Sequence, residues 1–314
     1  MMNRSLSATR FIASPIASVL DFHRRKTALS YALLLPAALT VLLLIVYPLY
    51  QIFDISFREG KSMNFARIGQ QPFGLDNYRR VLTDPAFWRS TWVSAVYVGG
   101  TVFVSFLIGL ATSLLLNRDL PGTRLLRTLV LLPWAVPGVI VAIMFLWVMD
   151  GSYGVFNSIL RDFGWHGGDI NWFVDRRTAL GTVMLPAIWK TYPLITLTLL
   201  AALQSIPKEL YEAAEIDGAT SVQKFFFITW PGIMGPALLV VMISALGTFR
   251  DVDIIFATTN GGPAGATQTL ALYVYNEAFQ YFRMGTATAV GTMMVAIAFL
   301  GTAIMAGMAG KSKF

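Results

Sequence analysis

The chain alternates long apolar stretches with short polar segments. Five of the apolar stretches contain no charged residue, and a sixth contains only Lys190. Each is long enough for a helix that crosses a bilayer, whose apolar core of about 30 Å requires about 20 helical residues. The pattern therefore predicts an all-α integral membrane protein with six transmembrane helices. The approximate ranges of the helices are 28–53, 91–117, 128–149, 179–203, 230–256 and 284–310, of which the fifth extends past the charge-free stretch at 225–249.

The segments between the apolar stretches show no internal repeat, no low-complexity tract and no separate soluble domain. We therefore predict a single transmembrane domain at 28–310. A cytoplasmic N-terminal segment at 1–27 precedes it, and a short cytoplasmic tail at 311–314 follows it.

The orientation is predicted from the basic cluster at 23–26 (HRRK), which directly precedes the first apolar stretch. Basic residues beside a first helix favour the cytoplasmic side. The stretch that follows is longer than the apolar part of a cleaved signal peptide, so we expect an uncleaved first helix. Six crossings return the C-terminus to the cytoplasm and place a loop at 205–224 there. The segments expected outside are 54–89, 150–177 and about 257–283.

Composition excludes several classes of function. Hydrophobic residues make up 55% of the chain and charged residues 13%, and the net charge is +7. No polar domain remains to carry a nucleic-acid-binding surface, so we expect no nucleic-acid partner. With no cysteine and two histidines, both outside the apolar stretches, we expect no metal site. A G-x-x-x-x-G-K-[ST] motif is absent, so this chain is not expected to hydrolyse ATP.

The loop at 205–224 is predicted to contain two short helices. Pro207 suits the first turn of a helix and Gly218 its end, which gives a helix at about 207–217. Thr220 and Gln223 have the spacing of a capping box, which starts a second helix. The acidic first helix disfavours anionic lipid and favours a protein partner. The alternative is an amphipathic loop that lies on the membrane.

This loop carries a spaced motif. Its residues are Glu212-Ala213-Ala214, Gly218, Ile228 and Pro231. The motif resembles the signature loop of bacterial ABC importer permeases, in which the loop forms a coupling helix seated in a groove of the ATPase subunit. Trp230 departs from the Leu that the family usually has. The resemblance implies a coupling role for Glu209, Glu212, Ala213, Ala214, Asp217, Gly218 and Ala219.

Three further segments narrow the resemblance to permeases of maltose and multiple-sugar importers. They are 73–78 (FGLDNY), 132–137 (LPWAVP) and 253–263 (DIIFATTNGGP). Val252 stands where that family commonly has Phe. With the loop, these segments extend the resemblance over most of the apolar part of the chain.

The resemblance implies a type I ABC importer permease fold in the bacterial cytoplasmic (inner) membrane. It also implies that the chain is half of a sugar pathway that opens alternately to the two sides. The implied partners are membrane lipid, a second homologous permease, two copies of an ABC ATPase, and a soluble or lipid-anchored extracytoplasmic sugar-binding protein. ATP and Mg would be bound by the ATPase, and this chain would hold no cofactor.

Polar and aromatic residues in or next to the apolar stretches are candidates for the substrate pathway. They are Trp189, Lys190, Tyr192, Phe249, Arg250, Asp251, Asp253 and Asn260. Other roles stay open for most of them. The two aromatic residues at 189 and 249 suit helix packing, and Lys190 suits a salt bridge to Asp251 or to the partner permease. The asparagine at 260 suits a turn, and the charged pair at 250–251 suits docking of the binding protein.

Two other functions remain as alternatives. An ABC permease for an anionic sugar derivative or another small solute would use Lys190 or Arg250 against the negative charge. A membrane-embedded enzyme would need an acidic cluster at the membrane surface. The only concentration of such groups is Asp150, Asp162, Asp169 and Asp175 with His166, whose spacing fits turns better than a metal motif.

Overall fold

The computed structural model describes residues 33–59, 65–118, 121–165 and 167–310. The predicted segment at 1–27, the start of the first predicted span, His166 and the tail at 311–314 lie outside the described residues.

The described part of the chain is almost entirely helical, with one isolated antiparallel bridge between Arg58 and Phe73. The helices are α1 (Leu33–Ser56), α2 (Phe65–Ile68), α3 (Asp76–Thr83), α4 (Pro85–Leu116), α5 (Thr123–Ala135), α6 (Gly138–Val148), α7 (Val155–Asp162), α8 (Ala179–Gln204), α9 (Lys208–Ile216), α10 (Ser221–Arg250), α11 (Asp253–Thr258), α12 (Leu270–Tyr275) and α13 (Met284–Gly310).

The chain divides into two compact units, Met1–Asp54 and Ile55–Phe314. The described part of the first unit belongs to α1, an apolar helix with one π-helical turn at Leu42–Val46. The second unit contains all the other helices. Five helices, α1, α4, α8, α10 and α13, are long and apolar enough to cross a membrane, and the pair α5 and α6 makes a sixth span if it is counted as one.

The centre of the second unit is the contact between α4 and α8. Ser105, Gly109 and Ser113 recur at every fourth residue of α4 and are all buried. A Cβ atom built on Gly109 would lie 2.7 Å from the Cγ2 atom of Ile195 on α8. Small residues at this spacing let two helix backbones approach closely, which is how helices commonly associate in lipid.

The third predicted span, 128–149, differs from a single straight helix. The structure has two helices, α5 and α6, whose axes differ by 96°. Val136 is extended, with ψ 132°, and Pro137 follows it. Proline has no N–H group and disfavours a helical conformation in the residue before it, so the helix stops here.

The fifth predicted span, 230–256, also differs in its ends. Helix α10 begins earlier, at Ser221, passes through a π-helical turn at Phe225–Thr229 and ends at Arg250. Asp251 is extended, and its Oδ1 atom accepts a hydrogen bond of 3.0 Å from the Asp253 amide. This local bond between carboxylate and backbone competes with helix continuation, so a separate helix, α11, follows.

Candidate functional site

A cavity of about 1000 Å³ with a mixed polar and apolar lining lies among the long helices of the second unit. Its walls come from α5, α8, α10, α11 and α13. The polar and charged residues of the lining are Lys190, Thr191, Ser244, Thr248, Arg250, Asp251 and Asp253. Apolar lining comes mainly from Trp134, Ala187, Leu194, Ile243, Leu246, Phe249, Ile254, Met294 and Val295. The volume is typical of pockets that bind small molecules.

The cavity brings together five of the eight pathway residues that the sequence indicated. They are Lys190, Phe249, Arg250, Asp251 and Asp253. Four of these follow one another along the chain because α10 ends at the cavity and α11 begins there. The formal charges of the lining are two positive and two negative, from Lys190, Arg250, Asp251 and Asp253, so their sum is zero.

The other three predicted pathway residues lie elsewhere. Trp189 packs edge-to-face against Phe145, with ring centroids 6.2 Å apart. Tyr192 is half-buried on α8 and is not part of the cavity wall. Asn260 lies in a tight turn with φ 47°, and its amide donates a 2.8 Å hydrogen bond to the Ile255 carbonyl. Their place in a transport pathway stays a prediction.

Lys190 makes a contact that the sequence did not indicate. Its Nζ atom donates hydrogen bonds to the carbonyl oxygens of Val136, at 2.6 Å, and Trp134, at 3.3 Å. Both carbonyls lie at the break between α5 and α6. The salt bridge to Asp251 considered for Lys190 is therefore not its contact in this structure, and a salt bridge to the partner permease stays a prediction.

Ser244 is a further candidate for substrate contact. Its side chain is 5% exposed, and its Oγ atom has no hydrogen-bond partner among the described residues. A buried hydroxyl without a partner is costly, and a ligand with hydroxyl groups would satisfy it. A lone serine in an apolar helix is common, so the sequence offers only its polarity as a sign of this role.

The loop at 205–224 forms a second candidate site. Helix α9 follows Pro207 and ends before Gly218, which has φ 74°. The Ala219 amide donates a 2.8 Å hydrogen bond back to the Ala214 carbonyl, as in a glycine-terminated helix. The next helix starts with the predicted capping box, in which the Thr220 hydroxyl accepts from the Gln223 amide and the Gln223 side chain accepts from the Thr220 amide.

Two contacts fix α9 against the start of α10. Lys224 Nζ donates to Glu215 Oε1 at 2.6 Å, and the hydroxyl groups of Tyr211 and Thr229 are 3.0 Å apart. The hydrogen bond and charge of Lys224 hold the pKa of Glu215 below its usual value, so this carboxylate is ionised at neutral pH. The pair is solvent-exposed on the Glu215 side, so its role is to orient the helix rather than to stabilise the fold strongly.

Helix α9 has no buried residue. Ile216 is 87% exposed, and an exposed apolar side chain beside a row of acids is typical of a surface that another protein covers. The predicted coupling residues that are exposed are Glu209, Glu212, Ala213, Asp217 and Gly218, whereas Ala214 and Ala219 are half-buried.

The acidic residues of segment 150–177 form local structure. Asp150 Oδ1 accepts hydrogen bonds from the amides of Ser152 and Tyr153, and Asp175 Oδ1 accepts from the Arg177 amide. Asp169 pairs with Arg161. Among the described residues, which exclude His166, no three His, Cys, Asp or Glu side chains are grouped as a metal site requires.

Comparison with known proteins decides the family. The family described as "Binding-protein-dependent transport system inner membrane component" matches residues 102–311, about two thirds of the chain. This chain belongs to that family. The permease is therefore a component of a transport system in the inner membrane, and the predicted family and localisation are confirmed.

Its relatives include permeases that are named for sugar transport systems. The permease is 39% identical to the trehalose/maltose transport system permease protein MalF of Thermococcus litoralis, over 83% of this chain and 85% of that protein. It is 35% identical to the sulfoquinovosyl glycerol transport system permease protein SmoG of Agrobacterium fabrum, over 88% of both chains. It is 32% identical to the diacetylchitobiose uptake system permease protein DasB of Streptomyces coelicolor, over 84% of this chain and 82% of that protein.

Solved structures show the same fold. A chain of a bacterial ABC transporter that imports the acidic polysaccharide alginate aligns with a TM-score of 0.77 and 22% identity, covering 93% of this chain and 98% of that one. A chain of the MetNI methionine ABC transporter aligns with a TM-score of 0.54 and 18% identity, covering 74% of this chain. The predicted fold class, an all-α type I ABC importer permease, is confirmed.

Proposed function

We propose that this permease forms half of the translocation pathway of an ATP-driven importer for a neutral sugar or oligosaccharide. Its identity with permeases named for trehalose, maltose and diacetylchitobiose supports a carbohydrate substrate. A second homologous permease supplies the other half. Two copies of an ABC ATPase bind ATP and Mg, and an extracytoplasmic sugar-binding protein delivers the substrate. The permease itself holds no cofactor and catalyses no reaction.

The cavity between α8 and α10 is the observation that carries this proposal. Its hydroxyl groups, including those of Thr191 and Ser244, suit the hydroxyls of a sugar, and Phe249 offers an aromatic face. The zero net charge of the lining favours a neutral ligand over an anionic one. Two of the three N–H groups of the Lys190 ammonium are already bound to backbone carbonyls, which weakens its attraction for an anionic ligand.

The anionic alternative rests on two similar proteins. SmoG is named for sulfoquinovosyl glycerol, and the alginate transporter imports an acidic polysaccharide. An anion in this cavity would share the Lys190 ammonium with two carbonyl oxygens that it already binds, or would bind Arg250 beside two carboxylates. Both are electrostatically unfavourable.

The mechanism that we propose is alternating access driven through α9. ATP closes the ATPase dimer, α9 moves with the ATPase groove in which it is seated, and the two permeases rock so that the cavity opens to the other side. The exposed acids and Ile216 of α9 supply the contact, and the Lys224–Glu215 pair transmits the movement to α10.

The test is to break the proposed contact between α9 and the ATPase in the complete transporter. The Gly218→Pro variant cannot adopt the φ of 74°, and Glu212→Lys reverses an exposed charge. We expect both variants to reach the membrane, to lose most co-purifying ATPase, and to reduce uptake of radiolabelled maltose or trehalose by at least about 100-fold, since the driving force no longer reaches the pathway.

Gly164→Pro is the matched control. Gly164 also has a positive φ, 87°, with no atom near its Cβ position, but it lies in the segment between α7 and α8. This variant is expected to retain the ATPase. Normal uptake in the Gly218→Pro and Glu212→Lys variants would refute the coupling role, and uptake of anionic sugars alone by the wild type would refute the neutral substrate.

A further inference from the structure

The break between α5 and α6 leaves backbone carbonyls that the helix itself cannot satisfy. In a continuous helix the Trp134 carbonyl would accept from residue 138 and the Val136 carbonyl from residue 140. The 96° bend at this point removes that geometry. Unpaired carbonyls are costly at membrane depth, so irregular backbone there persists only where other groups satisfy it.

The side chain that satisfies these carbonyls comes from a different span. Lys190 Nζ, in the middle of α8, lies 2.6 Å from the Val136 oxygen and 3.3 Å from the Trp134 oxygen. The carbonyl end of a helix carries partial negative charge, so a cation is the favourable partner for the end of α5. A charged donor also makes a stronger hydrogen bond than a neutral one.

The start of α6, on the other side of the break, lies beside a negatively charged side chain. Helix α6 starts at Gly138, and no side chain caps its free N–H groups. A Cβ atom built on Gly138 would lie 3.2 Å from the Cβ atom and 3.5 Å from the Oδ2 atom of Asp253. The absence of a side chain at 138 thus lets the Asp253 carboxylate approach the positive end of α6.

We propose that Lys190 is a positioning residue of the transport pathway. It fixes the angle between α5 and α6 by binding the carbonyls at the end of α5, and the Asp253 carboxylate complements it at the start of α6. Trp134 and Asp253 both line the cavity, so the angle between α5 and α6 sets the shape of one cavity wall. In this role Lys190 acts on the substrate site through the backbone that it binds. The inference concerns the break alone and holds whatever solute is carried.

Amide hydrogen exchange tests this directly, without a substrate. The complete transporter is placed in lipid nanodiscs, and exchange is followed by mass spectrometry in peptides covering 133–141. We expect Lys190→Met to speed exchange there by about tenfold or more, since two bonds to a charged donor are lost. Lys190→Arg, which keeps the cation, is expected to restore slow exchange. Thr198→Val is the control on the same helix, because the Thr198 hydroxyl bonds only to Leu194 of its own helix among the described residues.

Because the chain contains no cysteine, the charge at position 190 can also be changed by chemical modification after the protein has folded. In the Lys190→Cys variant, 2-aminoethyl methanethiosulfonate attaches an ammonium group at nearly the original length, whereas methyl methanethiosulfonate attaches a neutral methyl. We expect only the first reagent to slow exchange at 133–141.

Each of the two tests has a result that would contradict the proposal. Wild-type exchange in Lys190→Met, or equal effects of the two reagents on Lys190→Cys, would overturn the proposal. If the neutral variants at 190 fail to assemble while Lys190→Arg assembles, the requirement for a cation is supported. Failure of Lys190→Arg together with the neutral variants would count against it. None of these results depends on transport, so they can be separated from a failure of the proposed function.

Discussion

At the scale of single residues, the polar groups that line the cavity are of two kinds. Some already have hydrogen-bond partners in the protein, and others have none. Lys190 is committed to the backbone at the break, and Asp251 accepts from the Asp253 amide. Ser244 has no partner among the described residues. Its hydroxyl is therefore a candidate for a contact with a sugar hydroxyl in this half of the pathway.

Replacement of Ser244 by Ala should weaken transport without weakening the fold. Loss of one neutral hydrogen bond to substrate costs about 0.5–1.5 kcal/mol, so we expect KM for uptake to rise by about 2- to 12-fold. The measurement is uptake of radiolabelled maltose or trehalose by the reconstituted transporter, compared with thermal stability of the same samples. Ser113→Ala is the control, because the buried Ser113 hydroxyl bonds to the Leu110 carbonyl of its own helix. Equal effects of the two variants would show that Ser244 is not a substrate contact.

The sequence predicts which polar residues line the cavity better than it predicts the hydrogen-bond partners of those residues. Charged side chains in or next to apolar stretches are rare enough to indicate function, which is why the sequence indicates Lys190, Arg250 and Asp253. The partner of Lys190 is 54 residues away in sequence and is a backbone carbonyl, so no pattern of side chains reveals it. Trp189 faces Phe145 instead of the cavity because neighbouring residues on α8 point to different sides.

At the scale of helices, the tight contact of α4 with α8 holds the wall of the cavity in place. The contact depends on Gly109, whose position lies against Ile195 and the backbone amide of Thr196. Lipid tails are as apolar as the helix surfaces, so the helices associate through close packing rather than through exclusion of water.

Gly109→Ala should therefore destabilise the permease, although alanine favours helix formation. The added Cβ atom would lie 2.7 Å from Ile195 Cγ2 and 3.2 Å from the Thr196 backbone nitrogen, so α8 has to shift. Overpacking of this kind costs about 1–3 kcal/mol, which thermal unfolding in detergent would report as a lower Tm. Gly99 lies on the same helix with open space at its Cβ position, and Gly99→Ala is expected to be neutral or slightly stabilising. A Tm lowered equally by both changes would contradict this account.

Helix lengths follow from the sequence, but helix directions do not. Charge-free stretches located the long helices because the length of an apolar run is set by the bilayer. The run at 128–149 is apolar on both sides of Pro137, so hydropathy alone cannot distinguish a straight span from one bent by 96°. The proline and the lysine on α8 together decide that geometry.

At the scale of the whole molecule, the proposal requires α9 and the segment between α7 and α8 to face opposite sides of the membrane. One long apolar helix, α8, separates them. Each side has a highly exposed apolar residue, Ile216 at the end of α9 at 87% and Phe163 after α7 at 88%. The exposed acids near Ile216 suit an ATPase groove, whereas Phe163 lies on the side expected to meet the binding protein.

Cysteine labelling from the two sides tests this arrangement, because the native chain has no cysteine to interfere. We expect a membrane-impermeant maleimide to label Phe163→Cys in intact spheroplasts, and Ile216→Cys only in inside-out vesicles. Co-expression of the ATPase should protect Ile216→Cys by about tenfold, because burial in a protein groove removes the thiol from water, while labelling of Phe163→Cys is unchanged. Labelling of Ile216→Cys from outside would reverse the orientation, and unprotected labelling in a complex that contains the ATPase would remove α9 from the coupling interface.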